Sequence, residues 1–141
     1  MALQTITTAI DFDLELQAVD EEGRLIDLSE SDILHYGAIL FQADGTVIGQ
    51  YSTNGTALAG LWENSAKIEE VDLPNGIFKL HVDKEKTQGL ISQNVTARIM
   101  IQSDATIDLD DKHVDNEIWL AGEAEVFALD ASLDDSIITM T

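Results

Sequence analysis

Strict two-residue alternation is the feature that most constrains what this chain can fold into. Even positions read Ile6, Thr8, Ile10, Phe12, Leu14, Leu16 and Ala18, while odd ones carry Thr5, Thr7, Asp11, Asp13, Glu15 and Gln17. Successive side chains of a β-strand point to opposite faces, whereas a helix would scatter this pattern around its axis. The same rule governs the stretch from Val71 to Gln102. There Phe78, Leu80 and Val82 alternate with Lys79 and His81, and Val95, Ala97, Ile99 and Ile101 alternate with Thr96, Arg98 and Gln102. Each set reads as a strand with one wet face. Pro74-Asn75-Gly76 supplies a turn before them, because Pro presets φ and Asn or Gly tolerates a positive φ after it.

The first run is long for one strand, since strands usually span about 3–10 residues. It is expected to bend or switch sheets near Ala9 and Ile10, or to pair its first half with another chain. Glu22-Gly23 turns it into a second strand, Arg24 to Leu28, and Ser29–Asp32 reads as a loop or the N-cap of one helical turn. Gly37 to Tyr51 is a hairpin around Ala43-Asp44-Gly45, because Asp-Gly between alternating apolar runs is a strong hairpin signal. Ser52–Ser65 reads as an ordered loop with a short helical turn over Ala57–Trp62, and Lys67–Val71 begins another strand. Glu117–Leu129 closes the sheet, with Ile118, Leu120, Ala124, Val126 and Ala128 on one face and Gly122 placed for a bulge. Ser103–Asn116 is an acidic loop with a brief strand at Ile107–Leu109. Seven or eight short strands with turn signals between them predict an all-β chain. An antiparallel β-sandwich in one domain over 1–141 accounts for it, with an open barrel as the alternative.

Charge narrows the partners. Twenty-seven acids against seven bases give a net charge of −20, with five of the bases (Lys67, Lys79, Lys84, Lys86, Arg98) in the middle of the chain. Nucleic acid is excluded as a partner, because affinity for phosphate comes mainly from Lys and Arg releasing counterions, and an anionic membrane is disfavoured likewise. No apolar run approaches the roughly 18 residues that cross a bilayer. Met1–Thr5 lacks a basic and then apolar leader, so no secretory signal is expected there. The chain has no cysteine, so it can hold no disulfide and do no thiolate chemistry.

Catalytic constellations are missing. From Asp108, an EF-hand register would put Lys112 and His113 at the fifth and sixth positions, where an oxygen ligand and Gly belong. Asp108, Asp110 and Asp111 remain weak candidates for some other cation site, against a solvated acidic loop. His35, His81 and His113 lack partners at zinc-ligand spacing. His81 falls on the polar parity of its strand and reads as a surface histidine. Asp11 with Asp13 could imitate a glycosidase dyad, but same-face strand neighbours are weak grounds for that. No nucleophile elbow or phosphate loop occurs. The expectation is a non-enzyme without cofactor.

Three motifs carry a resemblance. The hairpin Ala38–Gly49 (A-I-L-F-Q-A-D-G-T-V-I-G), the block Val71–Leu90 with its turn, strand and T-x-x-L crossing, and the closing Ile118–Phe127 (I-W-L-A-G-E-A-E-V-F) occur in that order. Over roughly Ile10–Leu129 the chain resembles the immunoglobulin-like N-terminal domains of tailed-phage baseplate and receptor-binding-adaptor proteins of the upper-baseplate type. It departs from them in the acidic Ser103–Asn116 loop and in lacking their longer C-terminal extension. The resemblance implies an immunoglobulin-like sandwich and a non-enzymatic virion structural protein in a tail, baseplate or neck. Such a protein is made in a host cytoplasm and binds copies of itself and neighbouring virion proteins. Residues 1–9 and 130–141 would serve as assembly arms. Thr5, Ile6, Thr8, Ile10, Ile137, Ile138 and Met140 are the expected contacts, with Leu58, Leu61 and Trp62 as an anchor patch. A capsid decoration protein, or a carbohydrate- or cation-binding sandwich module, is the alternative.

Overall fold

A computed structural model of the chain describes residues 3–30, 33–53, 67–103 and 117–131. Among these residues eight strands form two sheets: β1 (Gln4–Thr7), β2 (Phe12–Gln17), β3 (Ile33–Phe41), β4 (Val47–Ser52), β5 (Ile68–Asp72), β6 (Ile77–Val82), β7 (Gln93–Ser103) and β8 (Glu117–Asp130). The five-stranded sheet runs β1-β8-β7-β3-β4 and the three-stranded sheet β2-β6-β5. Taken in chain order from β2, this is the B-E-D and G-F-C-C′ arrangement of an immunoglobulin-like sandwich. The anticipated all-β sandwich is therefore present, with one difference. β1 pairs with β8 in parallel, Gln4 opposite Phe127 through Thr7 opposite Asp130, so the sheets are not wholly antiparallel.

That parallel pair follows from how the long alternating run is broken. β1 belongs to one sheet and β2 to the other, and the chain crosses between them at 8–11. Ala9 takes φ 60, the left-handed region. The Thr8 N–H donates to the Asp130 carbonyl (3.1 Å) and the Ala9 N–H to Thr87 Oγ1 (2.9 Å). The sheet switch thus falls where the run was expected to break, and its first half pairs within its own chain.

Apolar faces of both sheets meet in one core. Leu14, Leu16, Phe78, Leu80 and Val82 come from the smaller sheet, and Tyr36, Ala38, Leu40, Tyr51, Val95, Ala97, Ile101 and Phe127 from the larger. Two ring contacts span the interior: Phe12 against Phe127 at 5.2 Å and 71°, and Tyr36 against Phe78 at 4.9 Å and 58°. Burial, with a smaller contribution from the Glu70 charge, pushes the Tyr36 phenol up to about 12, so it stays protonated in the core.

Turns follow the local chemistry. Gly45 (φ 91) closes the β3–β4 hairpin, where the Gln42 N–H meets the Thr46 carbonyl at 2.7 Å and the Thr46 N–H meets Asp44 Oδ1 at 2.9 Å. Leu73–Asn75 forms a 3-10 turn ended by Gly76 at φ 75. The expected strand over Arg24–Leu28 is not formed; only an isolated bridge joins Val19 to Leu25. Asp20 explains the difference, because its carboxylate accepts from the Glu22 and Arg24 N–H groups (2.9 Å each) and from Arg24 Nε (3.0 Å), folding the segment into a tight turn. Beyond it the chain runs across the sheet end, the Leu28 N–H donating to the Leu73 carbonyl.

β8 departs furthest from simple alternation. Ala121, Phe127 and Leu129 are buried, while Leu120 is 49% exposed. Between the pairs Arg98–Glu123 and Met100–Leu120, the two residues Ala121 and Gly122 oppose Ile99 alone; between Val95–Phe127 and Thr96–Glu125, Val126 has no opposite residue. Each extra residue flips the side-chain parity, so the inward assignment of Leu120 and Ala128 is corrected, while Val126 stays half-buried against the core. The bulge expected at Gly122 is there, at φ 122. Ala124 does pair with buried Ala97, but it stays exposed.

Gly76 and Gly45 separate backbone strain from collision. A Cβ on Gly45 would meet nothing within 4 Å, whereas one on Gly76 would lie 2.6 Å from the Ile26 carbonyl oxygen and 2.9 Å from that of Ala18. Gly45→Ala should cost about 1 kcal/mol, the left-handed penalty alone. Gly76→Ala should cost about 3 kcal/mol or more in urea unfolding, because backbone atoms cannot yield as a side chain can.

Candidate functional site

The most organised polar arrangement lies on the outer face of the three-stranded sheet. Cross-strand register sets Asp13 opposite His81 and Glu15 opposite Lys79, and Glu69 opposite Lys79 from the other side. His81, on the central strand β6, meets Asp13 Oδ1 of β2 with Nδ1 at 2.6 Å and Glu69 Oε1 of β5 with Nε2 at 3.1 Å. Lys79 Nζ lies 4.0 Å from the other Glu69 oxygen. One imidazole therefore ties both edge strands to the middle one. The hydrogen bond to Asp13 raises the His81 pKa first of all; partial burial opposes it, and the Asp13 charge and the Glu69 contact add to it.

Beside this row is an open hollow of about 460 Å³ lined by Asp11, Phe12, Asp13, His81, Val82 and Asp83. Its carboxylates are committed elsewhere. Asp11 Oδ1 accepts from the Lys84 N–H at 2.6 Å, and Asp83 pairs with Lys67 Nζ at 2.9 Å. Asp11 and Asp13 thus hold a turn and a histidine respectively, which is not how a glycosidase pair flanks a sugar. Both His81 nitrogens face carboxylates, so neither is directed at a nucleophile as general-base chemistry requires. Among the described residues no group of three or more His, Cys, Asp or Glu is arranged to hold a metal. Nor is any helix among them long and apolar enough to cross a membrane. The arrangement cross-links β2, β6 and β5.

The expected contact residues separate. Ile6 and Thr8 are 7% and 1% exposed and belong to the chain's own core, so they are corrected from partner contacts to interior residues. Thr5 and Ile10 remain on the surface, Ile10 at 51%. Leu58, Leu61, Trp62, Ile137, Ile138, Met140 and the acidic candidates Asp108, Asp110 and Asp111 lie outside the described residues.

Sequence reasoning missed a second hollow, an apolar groove of about 200 Å³ between β2 and β8. Leu16, Val19, Ala97, Ile99, Ala124 and Val126 line it, with Glu15, Gln17 and Glu123 at its rim. Its signal was the pair of extra residues in β8, which alternation alone does not reveal. No protein-family model matches the chain, and comparison with curated proteins finds no match.

Protonated His81 donates to two carboxylates, and neutral His81 can donate to only one. Its folded pKa lies above the ordinary 6.5, so its stabilisation is complete below pH 6.5 and fades as pH rises through the folded value. An NMR titration should place the His81 midpoint above 6.5, and His81→Asn should flatten the pH dependence of the urea midpoint over that range. Thr8 Oγ1 is buried without a hydrogen-bond partner among the described residues. Thr8→Val should therefore leave stability unchanged or raise it by up to about 1 kcal/mol in the same assay.

Proposed function

We propose that this chain is a non-enzymatic virion structural protein, working as an oligomeric adaptor in the tail, baseplate or neck of a tailed phage. The observation that carries this reading is the order of the three resembling segments on the sandwich. The Asp-Gly motif is the β3–β4 hairpin, the T-x-x-L block is β6 with its crossing turn, and the closing motif is β8. In the crossing, the Thr87 side chain is wholly buried and holds the Ala9 N–H, so that block fixes where the chain changes sheets.

The functional chemistry on the outer face supports the same reading, because its charged groups are spent on joining strands. Edge strands offer the means of assembly, since an open edge recruits another strand through backbone hydrogen bonds. The sheets end in β1 and β4, and in β2 and β5. Thr5 within β1 and Ile10 beyond it are on the surface, and the apolar Ile137, Ile138 and Met140 supply a second contact segment, with Leu58, Leu61 and Trp62 as an anchor. The partners are other copies of the chain and neighbouring virion proteins.

A net charge of −20 opposes self-association, and salt screens that repulsion over about 8–10 Å at 0.1–0.15 M. Sedimentation velocity should show a species heavier than the monomer whose share grows with protein and salt concentration. A monomer at every concentration, with no gain in mass when virion proteins are added, overturns the proposal.

A further inference from the structure

The groove between β2 and β8 is where two sheet edges face each other without a strand between them. Val19 shows how close they come, its N–H reaching the Ala121 carbonyl of β8 at 2.9 Å. One residue earlier the Ala18 N–H points the other way, to the Gly76 carbonyl beside β6, at 2.8 Å. Backbone direction repeats every two residues along a strand, so Gln17 and Glu15 turn their N–H and C=O groups to the groove, as Val19 does. On the facing side β1 covers β8 only from Phe127 onward. The stretch from Gly122 to Val126 has no strand on that edge among the described residues, and a bulge lies at each of its ends.

The floor and the rim differ in character. Leu16, Ala97 and Ile99 are buried at 5%, 2% and 5% exposure and form an apolar floor, with Val19, Val126 and exposed Ala124 along the sides. At the rim Glu15 lies opposite Lys79 of β6, and Glu123 is turned to the other face by Arg98. There the Arg98 guanidinium stacks 4.8 Å from the Phe41 ring and its Nε meets Glu123 at 2.5 Å. β1 already demonstrates the mode of binding, lying extended on the outer edge of β8 with Ile6 in the core.

We propose that this groove receives an extended strand from a partner protein, apolar at alternate residues and carrying Lys or Arg between them. The apolar side chains enter the groove, the backbone pairs with Glu15 and Gln17 of β2, and the basic side chains meet the Glu15 carboxylate. The acidic rim selects against another copy of this chain, whose net charge is −20. The inference stands on the groove and holds whether or not the chain belongs to a virion.

The test is a heteronuclear NMR titration of the isotope-labelled full chain with three synthetic peptides. One alternates Val and Lys, one alternates Val and Glu, and one reproduces residues 132–141 of this chain. The Val-Lys peptide should shift the amides of Glu15, Gln17 and Ala124 and bind at least about tenfold more tightly than either other peptide. Ala124→Arg, placing a bulky cation at an exposed position, should abolish those shifts while the remaining spectrum stays dispersed, and Glu15→Lys should weaken them. Shifts away from the groove, equal binding of the Val-Glu or 132–141 peptide, or binding unchanged in a folded Ala124→Arg variant would each overturn the proposal.

Discussion

Two aromatic contacts through the middle of the sandwich hold together everything else in this structure. Phe12 leans edge-on to Phe127, and Tyr36 packs against Phe78, so that each ring pair joins one sheet to the other. The two pairs sit toward opposite ends of the interior: Phe12 lies opposite Val82 at one end of β6, and Phe78 near the other. A ring pair contributes about 0.5–1.5 kcal/mol beyond the area it buries, and the burial itself is larger. Neither sheet could hide its apolar face alone. With that interface fixed, the outer faces are left to charged side chains, and the placement of His81, Asp13 and Glu69 follows from register.

What the sequence could disclose depended on whether local rules decided the outcome. Alternation located β2, β6 and β7, and the Asp-Gly and Pro-Asn-Gly turns located the hairpin and the loop before β6, because two-residue periodicity and left-handed φ are properties of a short segment. Alternation failed at β8, where two extra residues reset the parity and put Phe127, instead of Ala128, into the core. Arg24–Leu28 failed for a different reason: the Asp20 side chain offered the backbone a turn that competes with pairing. Tertiary partners were invisible. The even-numbered side of the first run gave the buried face of Ile6 and Thr8 correctly. Only the pairing of β1 with β8 showed that their own chain covers these side chains, while the outer edge of β1 stays open.

The polar row shows the same division. Parity put His81 on the wet side of β6, and that holds. Its two carboxylate partners come from β2 and β5, which flank β6 although only one of them is its neighbour along the chain. A histidine read as an ordinary surface residue is therefore the hub of a three-strand contact. The groove by β8 was hidden twice over, needing both the irregular strand and the departure of the chain at Val19 to the opposite sheet. Both places use charged residues of the edge strand β2, Asp13 in the polar row and Glu15 at the groove, and the proposed adaptor role rests on such margins.

Coupling of the two sheets through their shared interior is the claim on which the rest turns, and native-state hydrogen exchange of a Phe127→Leu variant measures it. Phe127 lies in the larger sheet, so loss of its ring contact should lower protection at Phe78 and Leu80 in the smaller sheet together with Val95 and Ala97. A fall of about tenfold in both is expected for a cooperative unit. Protection that drops on β7 and β8 while β6 keeps its original values would contradict the account.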